Sequence, residues 1–481
     1  MHPAGSAPML RRLLLVALLA LAGCVGAPAP GGVVPLDPEA LAAAIGEPIE
    51  QLHDHTDPAL HTSSFGLRLV NWSPLIPHDL GREGFAGMRI VDDVAYIATD
   101  GAYAGFLMVD VSDPRAPKLL SQYSTPGGAS QEAVPSWDGN WVFLNLQRRP
   151  EPADILADPL RGTGTGIQIV DVRDKANPRF ESFFPVEIQG THVMMYYEWQ
   201  GRQYLVYNGQ PARQALPTGE TYTPPPGNDI KIAEFVEVAG KRTLQPVGSF
   251  RYERGLVAMT SQGCFPHDQY VEEHPLTGQL LLYVAHWDCG VFTVDISDPT
   301  LPVLLGVDTQ VEPSTRARYH YFRPDPTPRD GRIIAWSGPE IDISPGEPGY
   351  LRAHDVTDPG DIRQIGWWRL PGDVENDKPF LFSPHNFDFQ GDLLALAHYH
   401  AGVWVLNVSD PTAPYAVAYY QPHGEEEHPY DGPEVWRKTP NFPEPYFPNV
   451  YEAKWHRGHL LVTERGSGLY VLEMDPTARR P

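Results

Sequence analysis

An all-β fold built from radially repeated sheets is predicted by three observations in this 481-residue chain. The first is a recurring phrase: a Gly, alternating apolar residues, then an acidic turn closed by Pro. It reads GFLMVDVSDPRAP from Gly105, GVFTVDISDPTLP from Gly290 and GVWVLNVSDPTAP from Gly402. Weaker copies start at Gly166, Tyr350 and Gly468. The second is period-2 alternation of Val, Ile, Leu and aromatics around each copy, the pattern of half-buried strands. The third is the abundance of turn formers, 51 Pro and 44 Gly. Four antiparallel strands per unit, repeated around an axis, describe a β-propeller.

Seven units begin near Met88, Glu132, His192, His267, His320, His385 and Val450. In each, an inner strand leads to a second strand, a tight turn and the Gly-led third strand. In the SDP turn, Asp and Ser can cap backbone N–H groups and Pro pre-sets φ. A fourth strand follows, as in PVLLGVDTQ after Leu301. Unit three is the weakest, with NDIKIAEFVEV in place of the phrase. Unit seven has no fourth strand after Met474, but residues 67–72 carry that pattern. They are expected to pair with residues 469–474 and close the ring, which removes its open edges. A six-bladed ring with a stray sheet is the alternative count. The propeller domain is assigned to residues 65–476, with a tail at 477–481.

The phrase resembles the LVIVD-repeat family of surface β-propeller proteins, and the resemblance covers nearly all of residues 65–475. It implies the propeller fold. It also implies that histidine on an inner strand recurs as part of the repeat, which offers a scaffold role for such residues.

Residues 1–23 read as a signal peptide. Arg11 and Arg12 precede the apolar run LLLVALLALAG, which is short for a spanning helix. The run ends at Leu21-Ala22-Gly23-Cys24, which looks like a bacterial lipobox with Cys24 as the lipidated residue. An ordinary signal peptide with a chance Cys is the alternative. Residues 24–64 form a tether, rich in Pro, Ala and Gly at first, with helical spacing over 37–52. The expected location is therefore the cell envelope, extracytoplasmic, with the membrane reached through the N-terminal lipid anchor. A net charge of −24 excludes a general nucleic-acid binder, because phosphate neutralisation needs a basic surface.

Four successive inner strands start with a histidine: His192, His267, His320 and His385. Innermost strands line the channel of a propeller, so these four should converge on one rim. Neutral imidazoles there suit copper or zinc better than magnesium or calcium. The ends of the second strands lie at the same level and add His286 with Asp288, His398 with His400, Asn208, Asp100, and Glu464 with Arg465. Hydrogen bonding to backbone or water is the alternative role for all of them. Cys264 and Cys289 fall at the same end of one unit, so an exported chain can join them in a disulfide. Two free thiols, or a mixed site with His267 and His286, are the alternatives. A further cluster, His53, Asp54, His55, Asp57 and His61, lies in the tether, where no strand orients it. Trp367, Trp368 and Trp404 sit on strand faces and read as packing between blades. Long loops at 148–165, 210–228 and 421–448 are lids or solvated inserts.

No GxSxG elbow, P-loop, dinucleotide fingerprint or HExxH is present. The leading reading is a lipid-anchored binding module with a protein or small-molecule ligand at the channel mouth. The alternative is a copper- or zinc-dependent enzyme, distantly similar to selenium-binding and methanethiol-oxidase propellers in its inner-strand histidines alone. A purely structural envelope protein is the third.

Overall fold

A computed structural model describes residues 64–76, 84–100, 104–125, 130–147, 165–186, 190–209, 230–252, 265–309, 318–340, 349–370, 383–422 and 448–474. They form seven antiparallel sheets in a ring, each built on four strands, consecutive in sequence except in the last, whose outer strand comes from residues 67–73, and no helix occurs among them. The blades span residues 85–124, 133–185, 191–250, 268–308, 319–368, 387–420 and 450–474. The six-bladed alternative is thereby set aside. Cys24, the tether, the His53 cluster, Cys264 and nearly all of the three long loops lie outside the described residues.

Ring closure agrees with the sequence expectation. Leu67–Ser73 is the fourth strand of blade seven, registered from Leu67↔Met474 to Ser73↔Leu469. The strand just before it was not anticipated. Ser64–Phe65 pairs with Tyr415–Tyr420 and gives blade six a fifth strand, so ten residues of chain strap two blades together.

The repeated phrase has three physical jobs. Its Gly opens the third strand in a conformation that favours glycine: φ is +149° at Gly105 and +106° at Gly290. A Cβ there would stand 1.9 Å from the Tyr123 carbonyl oxygen and 2.1 Å from that of Asp308, inside any real contact. The Asp residues cap the turn. Asp110 Oδ1 accepts the Ser112 N–H at 2.9 Å and Asp113 Oδ1 accepts the Arg115 N–H at 3.1 Å. Asp295 and Asp298 repeat this with Ser297 and Thr300. The Pro reaches the neighbouring blade. The Pro359 carbonyl of blade five accepts the Thr293 hydroxyl of blade four at 2.5 Å and lies against Gly306 on its bulged fourth strand.

Between blades the facing strands are apolar and fully buried. Phe143 of blade two stacks on Tyr196 and meets Phe235 of blade three edge-on, with ring centroids 5.7 and 4.9 Å away. Each such aromatic contributes roughly 2–3 kcal/mol by leaving water. These seams hold the inner strands rigidly, and the rigid inner strands position the side chains at the channel mouth.

Candidate metal centre

The histidine row is built by a repeated irregularity. In blades three, five and seven the first strand carries one residue more than its partner. The register steps from Thr191↔Gly209 to Met194↔Tyr207, from Tyr319↔Pro339 to Tyr321↔Gly338, and from Val450↔Glu464 to Glu452↔Thr463. In blades four and six two residues share one partner. The His267 N–H donates to Ala285 O, opposite which Asp268 also stands; the His385 N–H donates to Ala397 O, whose own N–H goes to Asn386 O. A bulge re-aims a side chain out of the ladder. At these five bulges stand His192, His267, His320, His385 and Tyr451.

Amide side chains pin two of the bulges. Asn145, on the second strand of blade two, donates to the carbonyls of Thr191 and His192 at 3.0 and 2.7 Å. Its Oδ1 accepts the N–H groups of Gln131 and Glu132. Asn208 does the same one blade on, donating to the carbonyls of Pro266 and His267 and accepting the Val193 N–H. The expectation that Asn208 sits at this level is met, with a positioning role.

The four imidazoles run edge to edge around the rim. His192 Nε2 is 3.0 Å from His267 Nε2. Ring centroids are 4.4 Å apart for His267 and His320, and 4.2 Å for His320 and His385. Tyr451 continues the row, 3.9 Å from His385. Residues just past the second strands complete the site. Gln147 Nε2 donates to His192 Nδ1. Trp287 stacks on His267 at 4.7 Å. Glu340 brings Oε2 to 3.4 Å from His267 Nε2 and 3.8 Å from His320 Nε2. The Tyr399 hydroxyl donates to Glu340 Oε1 at 2.5 Å. The Arg465 guanidinium lies 4.8 Å over the Tyr451 ring.

Of these, Gln147, Trp287, Glu340 and Tyr399 were not among the sequence candidates. Trp287, Tyr399 and Arg465 each lie three residues before a repeat glycine, Gly290, Gly402 and Gly468, and that spacing is the signal that could have found them. Trp287 and Tyr399 adopt φ of +45° and +41°, which turns them toward the axis. The residue before each is turned the other way. His286 stacks on Phe292 at 4.6 Å and meets Tyr252 edge-on, within the packing. His398 lies 6.3 Å from Trp368, with neither ring nitrogen hydrogen-bonded among the described residues. His400 is buried in the turn after Tyr399. The structure therefore gathers His192, His267, His320 and His385, and turns His286 and His398 away from them into the packing. Cys289 is disulfide-bonded, while Cys264, its expected partner, lies outside the described residues.

Burial sets the protonation of the row. It pushes His192 down to about 4. It also holds His267 and His320 well below the ordinary histidine value, helped by the neighbouring imidazoles, and His385 likewise. All four are neutral at pH 7, the form that ligates metals. Burial raises Glu340, opposed by the Tyr399 hydrogen bond and by the charges of Arg465 and Arg318. The Nδ1–H of His385 donates to the Tyr451 carbonyl at 2.6 Å, leaving the Nε2 lone pair without a partner among the described residues.

The donor set fits a borderline ion. One ligand atom each from His267, His320 and Glu340 lies within 4.8 Å of the others. Arms of about 2.0–2.1 Å in a tetrahedral zinc site put neighbouring ligands roughly 3.3 Å apart, close to the separations from Glu340. Two imidazoles and a carboxylate leave a fourth position open.

Behind the row the channel holds charge. Arg89 pairs with Glu132 at 3.0 Å and Glu452 at 3.3 Å, and Lys454 pairs with Glu452 at 2.8 Å. Asn386 donates to Glu452 at 2.8 Å. Burial pushes Glu132 up to about 7 in spite of Arg89. A second cluster has hydrolase-like geometry: Ser337 Oγ lies 2.8 Å from His354 Nε2, and His354 Nδ1 lies 3.1 Å from Asp308 Oδ2. Ser337 and His354 are wholly buried, so no substrate carbonyl reaches the hydroxyl. This chain fastens blade five to blade four.

A ring of seven four-stranded blades with histidines on the inner strands defines a β-propeller with a candidate ion site at its mouth. Residues 88–125 and 281–309, in blades one and four, match the LVIVD repeat, so the molecule is a β-propeller with LVIVD repeats. Among solved structures it is similar to the crystal structure of Saccharomyces cerevisiae Sqt1, at 9% identity, 83% of this chain, 97% of that chain and a TM-score of 0.45. No curated protein matches.

Proposed function

We propose that this propeller is a binding module whose ligand is a copper or zinc ion, held at the channel mouth by His267, His320 and Glu340 with His192 and His385 alongside. One observation carries the reading: neutral, buried imidazoles from adjacent blades share one rim with a carboxylate at 3.4 and 3.8 Å. A structural role alone does not require a carboxylate whose second oxygen is fixed by a tyrosine. The lipobox-like Leu21-Ala22-Gly23-Cys24 supports a module anchored to the outside of a membrane. The disulfide at Cys289, for which the sequence offers Cys264 as partner, supports an oxidising compartment.

The test is metal content and calorimetric binding of zinc and copper(II) to chelator-stripped protein. Wild type should take one ion per chain, and His267→Ala with His320→Ala should abolish this, while His286→Ala should not. No stoichiometric binding by folded wild type refutes the reading. Cys24→Ser should move the protein from the membrane fraction to the soluble one; retention contradicts the anchor. A metal-dependent enzyme is the second reading, favoured by the Tyr399 hydroxyl, a proton donor bonded to the carboxylate that would hold the ion.

A further inference from the structure

Two arginines approach the histidine row from different blades, each across one aromatic ring. Arg465 of blade seven is fixed by its backbone: its N–H donates to Asn449 O, and its carbonyl accepts from Gly84 and Phe85 of blade one. Its guanidinium lies over Tyr451, which packs on His385. Arg318 precedes the first strand of blade five, and its carbonyl accepts the Glu340 N–H at 2.9 Å. Its guanidinium lies 5.8 Å over Trp287, which packs on His267. Both charges act on Glu340. Their side chains keep 24% and 10% exposure, so solvent reaches both.

We propose that the mouth takes a small organic monocarboxylate as the outer ligand of the bound ion, received between Arg318 and Arg465. This rests on the metal reading. The charges at the mouth support a monoanion. Asp288 stands 3.9 Å from Arg318 and Asp100 stands 3.7 Å from Arg465, within ion-pair distance. With Glu340, three carboxylates against two guanidiniums leave one negative charge. A divalent ion reverses this to one positive charge, which one carboxylate cancels. Guanidinium forks match carboxylate geometry. The walls between are Trp287, Tyr399 and Tyr451, which suit a carboxylate with a carbon skeleton over an inorganic anion. The open fourth position of a three-ligand site is where such a group coordinates.

The experiment uses cobalt(II) as the probe ion, because its visible absorption reports its ligands. Metal-stripped protein is loaded with one equivalent of cobalt, then titrated with acetate and, separately, with the neutral isostere acetamide. Acetate should change the spectrum saturably and acetamide should not. Arg318→Gln and Arg465→Gln should each weaken acetate about tenfold, the loss of one charge-assisted partner, while both variants still load one equivalent of cobalt. Arg465→Lys, with thermal melting of every variant, guards against misfolding at that buried position; Arg318→Gln is an independent arm. An unaltered spectrum in stoichiometric cobalt protein overturns the proposal and leaves the metal reading standing. Equal acetate affinity in wild type and both glutamine variants also overturns it. Failure to bind cobalt overturns both.

Discussion

Acid should unfold the metal-free protein through its histidine row, and His192 allows a magnitude. Burial holds its folded pKa at about 4, against about 6.5 in the unfolded chain. Below pH 6.5 the unfolded state therefore binds the proton and the folded state does not, so stability falls as pH falls. The loss begins near 6.5 and is complete near 4; above 6.5 the contribution is full. At about 1.36 kcal/mol per pH unit the gap makes roughly 3.4 kcal/mol, a large part of a typical domain's stability. Glu132 acts in the opposite sense. Its folded pKa is about 7 against an ordinary 4.5, so its stabilisation is full below 4.5 and lost as pH rises through 7. The assay is urea unfolding in chelator at several pH values between 7.5 and 4.5, for wild type, His192→Gln and Glu132→Gln. His192→Gln should reduce the slope of stability against pH by about 1.2 kcal/mol per unit near pH 5. Glu132→Gln should steepen it. Identical slopes in wild type and His192→Gln refute the claim that His192 is buried neutral.

Three further outcomes rest on the packing. Ser337→Ala should cost about 1–3 kcal/mol in urea unfolding by stranding the buried His354, and leave zinc affinity unaltered; a loss of zinc binding would contradict its placement away from the mouth. Gly290→Ala should cost about 4 kcal/mol or more, because its Cβ would stand 2.1 Å from the Asp308 carbonyl, whereas Gly278→Ala, with nothing within 4 Å, should cost only about 1 kcal/mol for its φ; equal melting temperatures would refute this. Reduction should lower stability by about 2–4 kcal/mol and release a thiol at Cys289, read by alkylation and mass mapping; a free Cys289 thiol in unreduced protein would refute the bond.

The scaffold was legible in the sequence because it is periodic. Gly105, Asp110 and Pro114 recur as a unit since each serves the backbone, and backbone demands repeat from blade to blade. The histidine row was legible for the same reason: His192, His267, His320 and His385 occupy one position in successive units. Glu340, Trp287 and Tyr399 were hidden because that position holds a different residue in each blade. Trp287 and Tyr399 share a turned backbone, which no residue type announces. His286 and His398 misled because the end of a strand fixes a level and not a direction. The left-handed residue after each sends neighbours to opposite sides. Ser64–Phe65 escaped notice because two residues carry no period.

The strap joining the first described strand to the last has a consequence for the order of events in folding. Leu67 can find Met474 only after almost the whole domain has been made. Until then blade seven has no outer strand, and neither Ser64–Phe65 nor Leu67–Ser73 has its partner. Contacts between such distant residues slow folding, so the final latch should set the pace. Before it shuts, blade seven and the two unpaired strands at residues 64–73 present open edges to any other chain nearby. The ring is most exposed to wrong partners while it is nearly complete.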